Sequence, residues 1–483
     1  MSNGSGGEPR VRRDVQSLIA EGPSGMKVLE DYAKAITAMR AIDDDAGPGD
    51  PTDPRSWRFQ AAIHGLESVP PTLRDPRGWS SCRHNSWFFL PWHRVYLYYF
   101  ERMIQFQLDD PTWALPYWDY SKVDDTSSQT IPEPFRSPTE DNALHTPERE
   151  PLFNDPSAPE PLPFDICDAR PALEFEDFAL DGEDPAQSFG GGVVADVAPN
   201  QRARGSMELT PHGLVHGYVG GETGLMAQFH TAGLDPLFWL HHCNLDRLWQ
   251  VWIAKWGADR LPQDRTWLQT TFAFFDADRK RDGKRIDEIL VTEQLGYAYE
   301  SLAQPQGTRG PDPLDELAPP PPAPRAPAEL LGATTSVAFS RRTAVHIELT
   351  ASERVASALA GDESVSPRWY LRVEDIAGSA PKAPAYEVYL NLPEGALPRD
   401  HAELRAGAVA SFGVREASDP ASENGGAGIT DTFEITGLVA TIAAGTPDFD
   451  ATKVSVHIVP VGATGELDDG GDVQAGRISI YAG

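Results

Sequence analysis

Residues 84–94 read "HNSWFFLPWHR", and they place two histidines around a nearly uncharged run of aromatic side chains. Pro91 suits the first turn of a helix, because its missing N–H lies among donors that have no intrahelical partner there. The helix is then expected to run on through "VYLYYFERMIQFQL". The stretch is either an aromatic core segment that happens to contain histidines, or a set of aromatic side chains that excludes water from a group bound by His84 and His93.

Further helices are predicted on both sides of this segment. In "GMKVLEDYAKAITAMRAID" (residues 25–43) the apolar side chains recur at helical spacing. The segment "WRFQAAIHGLES" (57–68) indicates a second helix, which carries His64. Asp235 and Pro236 provide a cap and first turn for "DPLFWLHHCNLDRLWQVWIAKW". That helix is apolar nearly all round and is expected to lie inside a bundle.

The remaining segments predict loops, a linker and a second domain. Residues 121–200 are rich in Pro, Asp and Gly, which favours ordered loops and short helices, and the runs "FGGGVV" and "VGGETG" are assigned to turns. Residues 304–330 are proline-dense and predict an interdomain linker. Beyond them, segments of alternating pattern such as "RWYLRVED", "DTFEITGLVATI" and "KVSVHIVPV" predict strands and are typical of an antiparallel sandwich. We therefore expect a mainly α domain over 1–303 and an all-β domain over 331–483.

Composition excludes several classes of partner. The chain has 483 residues and a formal net charge of -31, which opposes binding to nucleic acid or to an anionic membrane surface. No apolar run is long enough for a membrane span, and the polar N-terminus makes the cytoplasm the default location, although export with a partner protein stays open. Three cysteines are too few for a disulfide framework. Small partners fit best, and the oligomeric state is not predicted.

Six of the 12 histidines fall into two sets in the helical part. His212 and His216 are four residues apart in "PHGLVH", so their imidazoles can project from one helical face toward one ion. Any single buried histidine is more often a hydrogen-bonded core residue, but three in each of two sets favour metal binding. Sites made of imidazoles suit copper, zinc, iron or nickel. The two sets are His64, His84 and His93, and His212, His216 and His242.

The segments "HNSWFFLPWHRVYLYYFER" and "DPLFWLHHCNLDRLW" resemble the paired copper signatures of the tyrosinase, catechol oxidase and haemocyanin family. The resemblance covers roughly residues 10–300. It implies a four-helix bundle around a dicopper site, with the first set of histidines on copper A and the second on copper B. The aromatic run would then keep the site dry for dioxygen chemistry.

The resemblance also implies roles for residues next to these ligands. Periodicity does not choose between His241 and His242, and the family pattern favours the latter. Asp246, four residues further along the helix, is expected to accept from a ligating imidazole, with an ion pair to Arg247 or another arginine as the alternative. Cys82 is expected to form a thioether with His84, with a buried free thiol as the alternative. Cys243 is expected to be a packed thiol, and Cys167 has no assigned role.

Three further residues are expected to tune the reaction. Phe229 corresponds to a gate ring over copper A, with ordinary core packing as its alternative. Glu208 matches the glutamate that holds an ordered water in the resembling enzymes, or else acts as a cap partner. Gly213 stands where many tyrosinases carry an asparagine, so it supplies no side chain to make that water a base.

In "LGYAYE", Tyr297 or Tyr299 is expected to pack on Arg12 or Arg13.

The expected function is the oxidation of o-diphenols or o-aminophenols to quinones or quinone imines, with two copper ions as cofactors and dioxygen reduced to water. The β domain is expected to keep the enzyme latent until it is displaced. Two alternatives stay open, a tyrosinase that also hydroxylates monophenols and a haemocyanin-like dioxygen carrier.

Overall fold

The computed structural model divides into two compact units, Met1–Gln306 and Gly307–Gly483. The structure describes residues 8–46, 53–65, 79–122, 125–181, 187–194, 203–305, 329–340, 343–350, 368–379, 381–420, 426–445, 453–462 and 470–482. Most of the predicted linker, residues 306–328, lies outside these ranges.

Five helices build the core of the first unit. They are α1 (Pro23–Ala46), α2 (Trp57–His64), α3 (Phe89–Leu108), α4 (Leu214–Gly220) and α5 (Pro236–Trp256). The buried face of α1 includes Leu29, Tyr32, Ile36 and Met39, as its periodicity predicts. Helix α3 packs against both α1 and α5, which places the aromatic run of residues 87–100 at the centre of the unit. The prediction that α5 is buried on nearly all sides is confirmed.

The start of α5 is held by the cap that the sequence predicts. The side chain of Asp235 accepts from the backbone N–H of Leu237 at 2.8 Å. The same carboxylate accepts two hydrogen bonds from Arg149, at 2.8 and 2.7 Å, and both side chains are fully buried. A bidentate, desolvated pair of this kind fixes orientation as well as adding energy. It therefore sets the direction in which α5 enters the core.

Shorter elements complete the first unit. Strand β1 (Arg10–Arg12) pairs in parallel with β2 (Tyr297–Tyr299), which joins the two ends of the unit. A hairpin joins Thr271–Phe275 to Arg281–Arg285, and the two-residue strands Ala179–Leu180 and Gly191–Gly192 pair in parallel. The short helices are Val15–Glu21, Thr126–Gln129, Glu133–Arg136, Pro151–Asn154, Phe164–Cys167, Arg170–Leu173 and Arg265–Gln269.

The second unit is a sandwich of two four-stranded antiparallel sheets. The strands are β3 (Glu329–Ala338), β4 (Thr343–Glu348), β5 (Trp369–Ile376), β6 (Ala385–Leu390), β7 (Arg405–Ala410), β8 (Ile429–Glu434), β9 (Lys453–Val461) and β10 (Gln474–Ala482). One sheet has the order β7-β6-β9-β4 and the other β8-β5-β10-β3. Val388 and Val456 from the first sheet share one core with Leu371 and Ile478 from the second. A helical domain followed by a β sandwich is thus confirmed.

One predicted strand is wrong in its second half. The segment "DTFEITGLVATI" (431–442) forms β8 only as far as Glu434, and a helix, Thr436–Gly445, follows. Leu438, Val439 and Ile442 are all buried, at a spacing of one and four residues that suits a helix and not an alternating strand. In the described residues, no helix combines the length and the apolarity that crossing a membrane requires.

Candidate metal centre

The first cluster consists of three histidines and one cysteine that come from different elements. His64 ends α2, His93 lies one turn into α3, and Cys82 and His84 lie in the loop that leads into α3. All four are buried, and their ligand atoms lie within 4.8 Å of one another. The fold therefore brings together the three histidines that the sequence assigns to copper A.

The second cluster lies next to the first. It contains His212, His216, His241 and His242, all buried, with their ligand atoms likewise within 4.8 Å of one another. His212 belongs to the irregular turn Glu208–Gly213, in which Thr210 is extended, and His216 lies on α4. The two clusters are in contact, because the rings of His93 and His242 stack at 4.1 Å with an interplanar angle of 1°.

Backbone carbonyls orient four of the six predicted ligands. The Nδ1 atoms of His64, His93 and His216 lie 2.8 Å from the carbonyl oxygens of Phe229, Phe89 and Met226. His212 Nδ1 lies 3.2 Å from the carbonyl oxygen of Glu208. A carbonyl only accepts, so Nδ1 carries the proton in each ring and the Nε2 lone pair is left for a metal. The Nε2 atom of His64 is buried and has no hydrogen-bond partner within the described residues.

Burial keeps these imidazoles neutral at neutral pH. It lowers the pKa of His64 to about 4 and that of His216 to about 3. The pKa of His84 falls well below its ordinary value because of burial and then because of the neighbouring His93. The neutral imidazole is the form that binds a metal. With no carboxylate in either cluster, the donors suit copper or zinc and not magnesium or calcium.

His241 and His242 both reach the second cluster. His242 Nε2 lies 3.3 Å from His216 Nε2, so these two atoms converge on one point. His241 Nδ1 lies 3.0 Å from the hydroxyl of Tyr120, and its Nε2 has no hydrogen-bond partner in the part of the chain that the structure describes. The assignment of His242 to copper B thus remains a proposal. Nothing in the sequence pattern singles out Tyr120, because it is 121 residues from His241.

Cys82 lies between two imidazoles of the first cluster. Its Sγ atom is 3.9 Å from His84 Nε2 and 3.3 Å from His93 Nε2. The structure shows the cysteine as a thiol, so the thioether to His84 stays a prediction that the proximity permits. Cys243 is also buried, and burial raises the pKa of its thiol to about 12, which agrees with the expected packed thiol. Cys167 is buried as well.

Phe229 lies against the first cluster with both its ring and its backbone. The ring centroid is 4.5 Å from that of His64 and 4.8 Å from that of His84. Its carbonyl accepts from His64, so one residue both orients this ligand and covers it. Gly65 permits this close approach, because a Cβ there would lie 2.8 Å from the Phe229 ring and 2.8 Å from its carbonyl oxygen. The role of Phe229 as a gate over copper A stays a prediction, with ordinary core packing as its alternative.

Glu208 is buried and bridges the two clusters. Both of its carboxylate oxygens lie 2.8 Å from the backbone N–H of Asn85, the residue after His84. Its carbonyl faces His212 Nδ1. The carboxylate therefore has a protein donor in addition to any water it holds. Gly213 directly follows His212 and has no side chain that could share in this network.

The expectation that Asp246 accepts from a ligating imidazole is wrong. Its carboxylate accepts from Arg94 at 2.5 Å, from Arg12 at 3.5 Å and from the hydroxyls of Tyr297 and Tyr299 at 2.7 and 2.5 Å. These groups approach from α3, β1 and β2 and fill its acceptor positions. The alternative of an ion pair with an arginine is correct, but Arg247 is not the partner, since it pairs with Asp119.

The predicted packing of a tyrosine on an N-terminal arginine is confirmed. The Arg12 guanidinium lies 3.6 Å from the centroid of the Tyr297 ring and donates to the Tyr299 hydroxyl at 3.2 Å. Arg12 also pairs with the buried Glu101 at 2.9 Å. This network ties β1 and β2 to the helices α3 and α5 that carry His93 and His242.

Two family models match the first unit and one matches the second. The common central domain of tyrosinase matches residues 54–255, the range that contains both clusters. The polyphenol oxidase middle domain matches residues 262–311. Residues 54–311 thus carry the central and middle domains of the tyrosinase and polyphenol oxidase family. The second unit matches a domain of unknown function over residues 327–483.

Relatives agree with this assignment and with an oxidoreductase of the polyphenol oxidase type. Tyrosinase HcTyr1 from Hahella sp. (strain CCB-MM4) is 29% identical over 93% of this chain and 96% of its own length. The chloroplastic polyphenol oxidase of Vitis vinifera is 32% identical over 62% of this chain, which spans only 49% of that relative. A latent aurone synthase shares the fold with a TM-score of 0.65 at 23% identity, covering all of this chain and 91% of its own. The structure of latent apple tyrosinase also shares the fold, with a TM-score of 0.61 at 22% identity. That match covers 100% of this chain and 99% of the apple protein's chain.

Proposed function

We propose that this polyphenol oxidase holds two copper ions and oxidises o-diphenols, or o-aminophenols, to quinones or quinone imines. The observation that supports this most strongly is the contact between two buried clusters of neutral histidines, with Phe229 covering one of them. In this proposal His64, His84 and His93 hold copper A, and His212, His216 and His242 hold copper B.

The bound copper pair would supply the redox chemistry with dioxygen that side chains cannot perform. Two diphenols would give up four electrons and four protons in all, and one dioxygen would take them up to form two waters. The chain contributes oriented ligands, since the carbonyls of Phe229, Phe89, Met226 and Glu208 fix the orientation of these imidazole rings. Oriented donors need no rearrangement during turnover, which is the basis of catalysis by preorganised groups.

Phe229 and Gly213 favour diphenols over monophenols in this proposal. The Phe229 ring narrows the approach to copper A. A monophenol must lose its hydroxyl proton to a base, whereas Gly213 offers no amide to orient a water on Glu208. The tyrosinase alternative keeps one specific support, namely the similarity to Tyrosinase HcTyr1 over nearly the whole chain.

Oxygen uptake by the copper-loaded protein, measured on the full chain and on a chain that ends at residue 303, distinguishes these possibilities. Catechol, 2-aminophenol and tyramine are supplied at matched concentrations, and the initial rates are compared. The proposal expects uptake with at least one of the first two substrates and clearly less with tyramine. Comparable rates with catechol and tyramine would favour the tyrosinase. Reversible dioxygen binding without turnover of any substrate would favour the carrier.

We further propose that the second unit keeps the enzyme latent until it is displaced or cleaved. The support is the proline-dense composition of residues 304–330, because such segments remain extended and accessible to proteases.

A further inference from the structure

Asn85 is held on three sides by a single segment of the chain. Its backbone N–H donates to both carboxylate oxygens of Glu208, at 2.8 Å each. Its carbonyl oxygen accepts from the N–H of Ala203 at 2.8 Å. Its side-chain Oδ1 accepts from Nε of Arg204 at 3.0 Å. Residues 203–208 thus bind the backbone donor, the backbone acceptor and the side chain of one residue.

Asn85 also has a backbone conformation that most residues avoid. Its φ is 55°, in the left-handed region, and its side chain is buried. A residue other than glycine stays in that region only where its surroundings hold it, and asparagine tolerates it better than most. The three bonds from residues 203–208 provide this restraint. They therefore determine the direction of the chain directly after His84.

The same segment leads into the second cluster. Glu208 binds Asn85 with its carboxylate, and its carbonyl lies 3.2 Å from His212 Nδ1. His84 and His212 are accordingly joined through only Asn85 and Glu208. The rings of these two histidines are 5.5 Å apart.

The glycine run "FGGG" (residues 189–192) contacts both of the segments that Asn85 connects. The N–H of Gly192 donates to the Ala203 carbonyl at 2.7 Å, and its own carbonyl accepts from Trp87 at 3.1 Å. Gly191 has a φ of 116°, and a Cβ there would lie 2.8 Å from the Ser86 carbonyl carbon. The run thus serves a purpose beyond a turn, because it packs against both residues 86–87 and residue 203.

We propose that Asn85 is a positioning residue that ties the loop of His84 to the segment of His212, so that the two sites bind copper as one unit. Only the identity of the metal rests on the proposed function. Replacing a residue that holds a metal ligand in place typically lowers the metal affinity 10- to 100-fold. Here the effect is expected at both sites, because the bonds of Asn85 connect them.

Two substitutions separate the contributions of Asn85. Asn85→Gly keeps the left-handed backbone and both backbone bonds but loses the bond to Arg204. Asn85→Ala loses that bond and also disfavours the backbone conformation. Asn391→Ala is the matched control, since Asn391 has a φ of 50° and its Oδ1 accepts from the Ser455 N–H at 2.8 Å in the second unit.

The first measurement is copper affinity of the full chain by competition with a chelator, with stoichiometry from metal analysis. Wild type is expected to release its copper in one transition. Asn85→Ala is expected to release copper in two transitions, and the copper affinity of its weaker site is expected to be about 100-fold below that of wild type. In Asn85→Gly the copper affinity is expected to fall about tenfold. Asn391→Ala is expected to match wild type. A single wild-type transition in both Asn85 variants would overturn the proposal.

The second measurement uses the metal-free chain and so does not depend on the proposed function. Amide hydrogen exchange is expected to rise in Asn85→Ala at residues 84–87 and, together with them, at residues 203–208. Faster exchange in the first range alone would refute the connection even if the protein bound no copper at all. If Asn85→Ala does not fold, Asn85→Gly is measured instead, and the loss of its bond to Arg204 is expected to raise exchange in both ranges by a smaller amount.

Discussion

Replacing Asp246 by asparagine should destabilise the helical unit without removing any metal ligand. Asp246 is buried and faces Arg94, Arg12, Tyr297 and Tyr299. Removing one partner of a buried ion pair leaves an uncompensated charge and costs about 3–5 kcal/mol. Unfolding entropy is about 2.1 cal/mol/K per residue, or about 0.6 kcal/mol/K for a unit of roughly 300 residues. A loss of about 4 kcal/mol therefore lowers the Tm of this unit by about 6 °C.

Calorimetry of the metal-free protein measures this difference. Asp287→Asn is the control, because Asp287 pairs with Arg285 at the surface, where both side chains are exposed. Exposed pairs contribute about 0–1 kcal/mol, so the control should shift the Tm by less than about 2 °C. Equal shifts in the two variants would refute the argument that the Asp246 network anchors the unit.

The difference in stability between wild type and Asp246→Asn should change with pH in a defined direction. Burial alone would raise the pKa of Asp246, but the guanidinium groups of Arg94 and Arg12 and the two tyrosine hydroxyls more than offset it and hold the pKa below its ordinary value. A carboxylate with a lowered pKa stabilises the folded state above its unfolded pKa of about 4, and this contribution is lost as the pH falls through the folded pKa. The Tm difference between wild type and Asp246→Asn should therefore be largest at neutral pH and should decrease below about pH 4.

Four further predictions concern the metal centre and the second unit. Metal analysis should find two coppers per chain, one of which is lost in His242→Ala and mostly kept in His241→Ala; the reverse pattern would mean that His241 is the ligand. Intact mass after copper loading in air should fall by about two hydrogen atoms if Cys82 joins His84, whereas an unchanged mass with three titratable thiols would exclude the bond. Gly213→Asn should raise tyramine hydroxylation relative to catechol oxidation, and an unchanged ratio would remove that explanation. A chain that ends at residue 303 should oxidise catechol faster than the full chain, and equal rates in folded, metallated protein would disprove latency.

Local sequence patterns determined the elements of this protein. The helical spacing in α1, the Asp235 cap and the strands β5 and β9 depend on neighbouring residues, and the structure confirms these elements. The alternation itself is not seen in β5, where residues 369–373 are all buried. The strand prediction failed in residues 436–442, where Leu438, Val439 and Ile442 have helical spacing but follow the strand β8 almost directly. The two sets of histidines were also found from their spacing and from the resemblance of two motifs.

Only the tertiary structure decided what surrounds those histidines. The carbonyl that orients His64 belongs to Phe229, 165 residues away, and the partners of Asp246 include Arg12, which is 234 residues away. Tyr120 and Asn85 carry no local signal, because their roles depend on His241 and Glu208 at separations of 121 and 123 residues. Periodicity reports which face of an element is buried but not which distant group meets it there. The two clusters of histidines were accordingly predictable, whereas the contacts that hold these side chains in place were determined by the packing of remote segments.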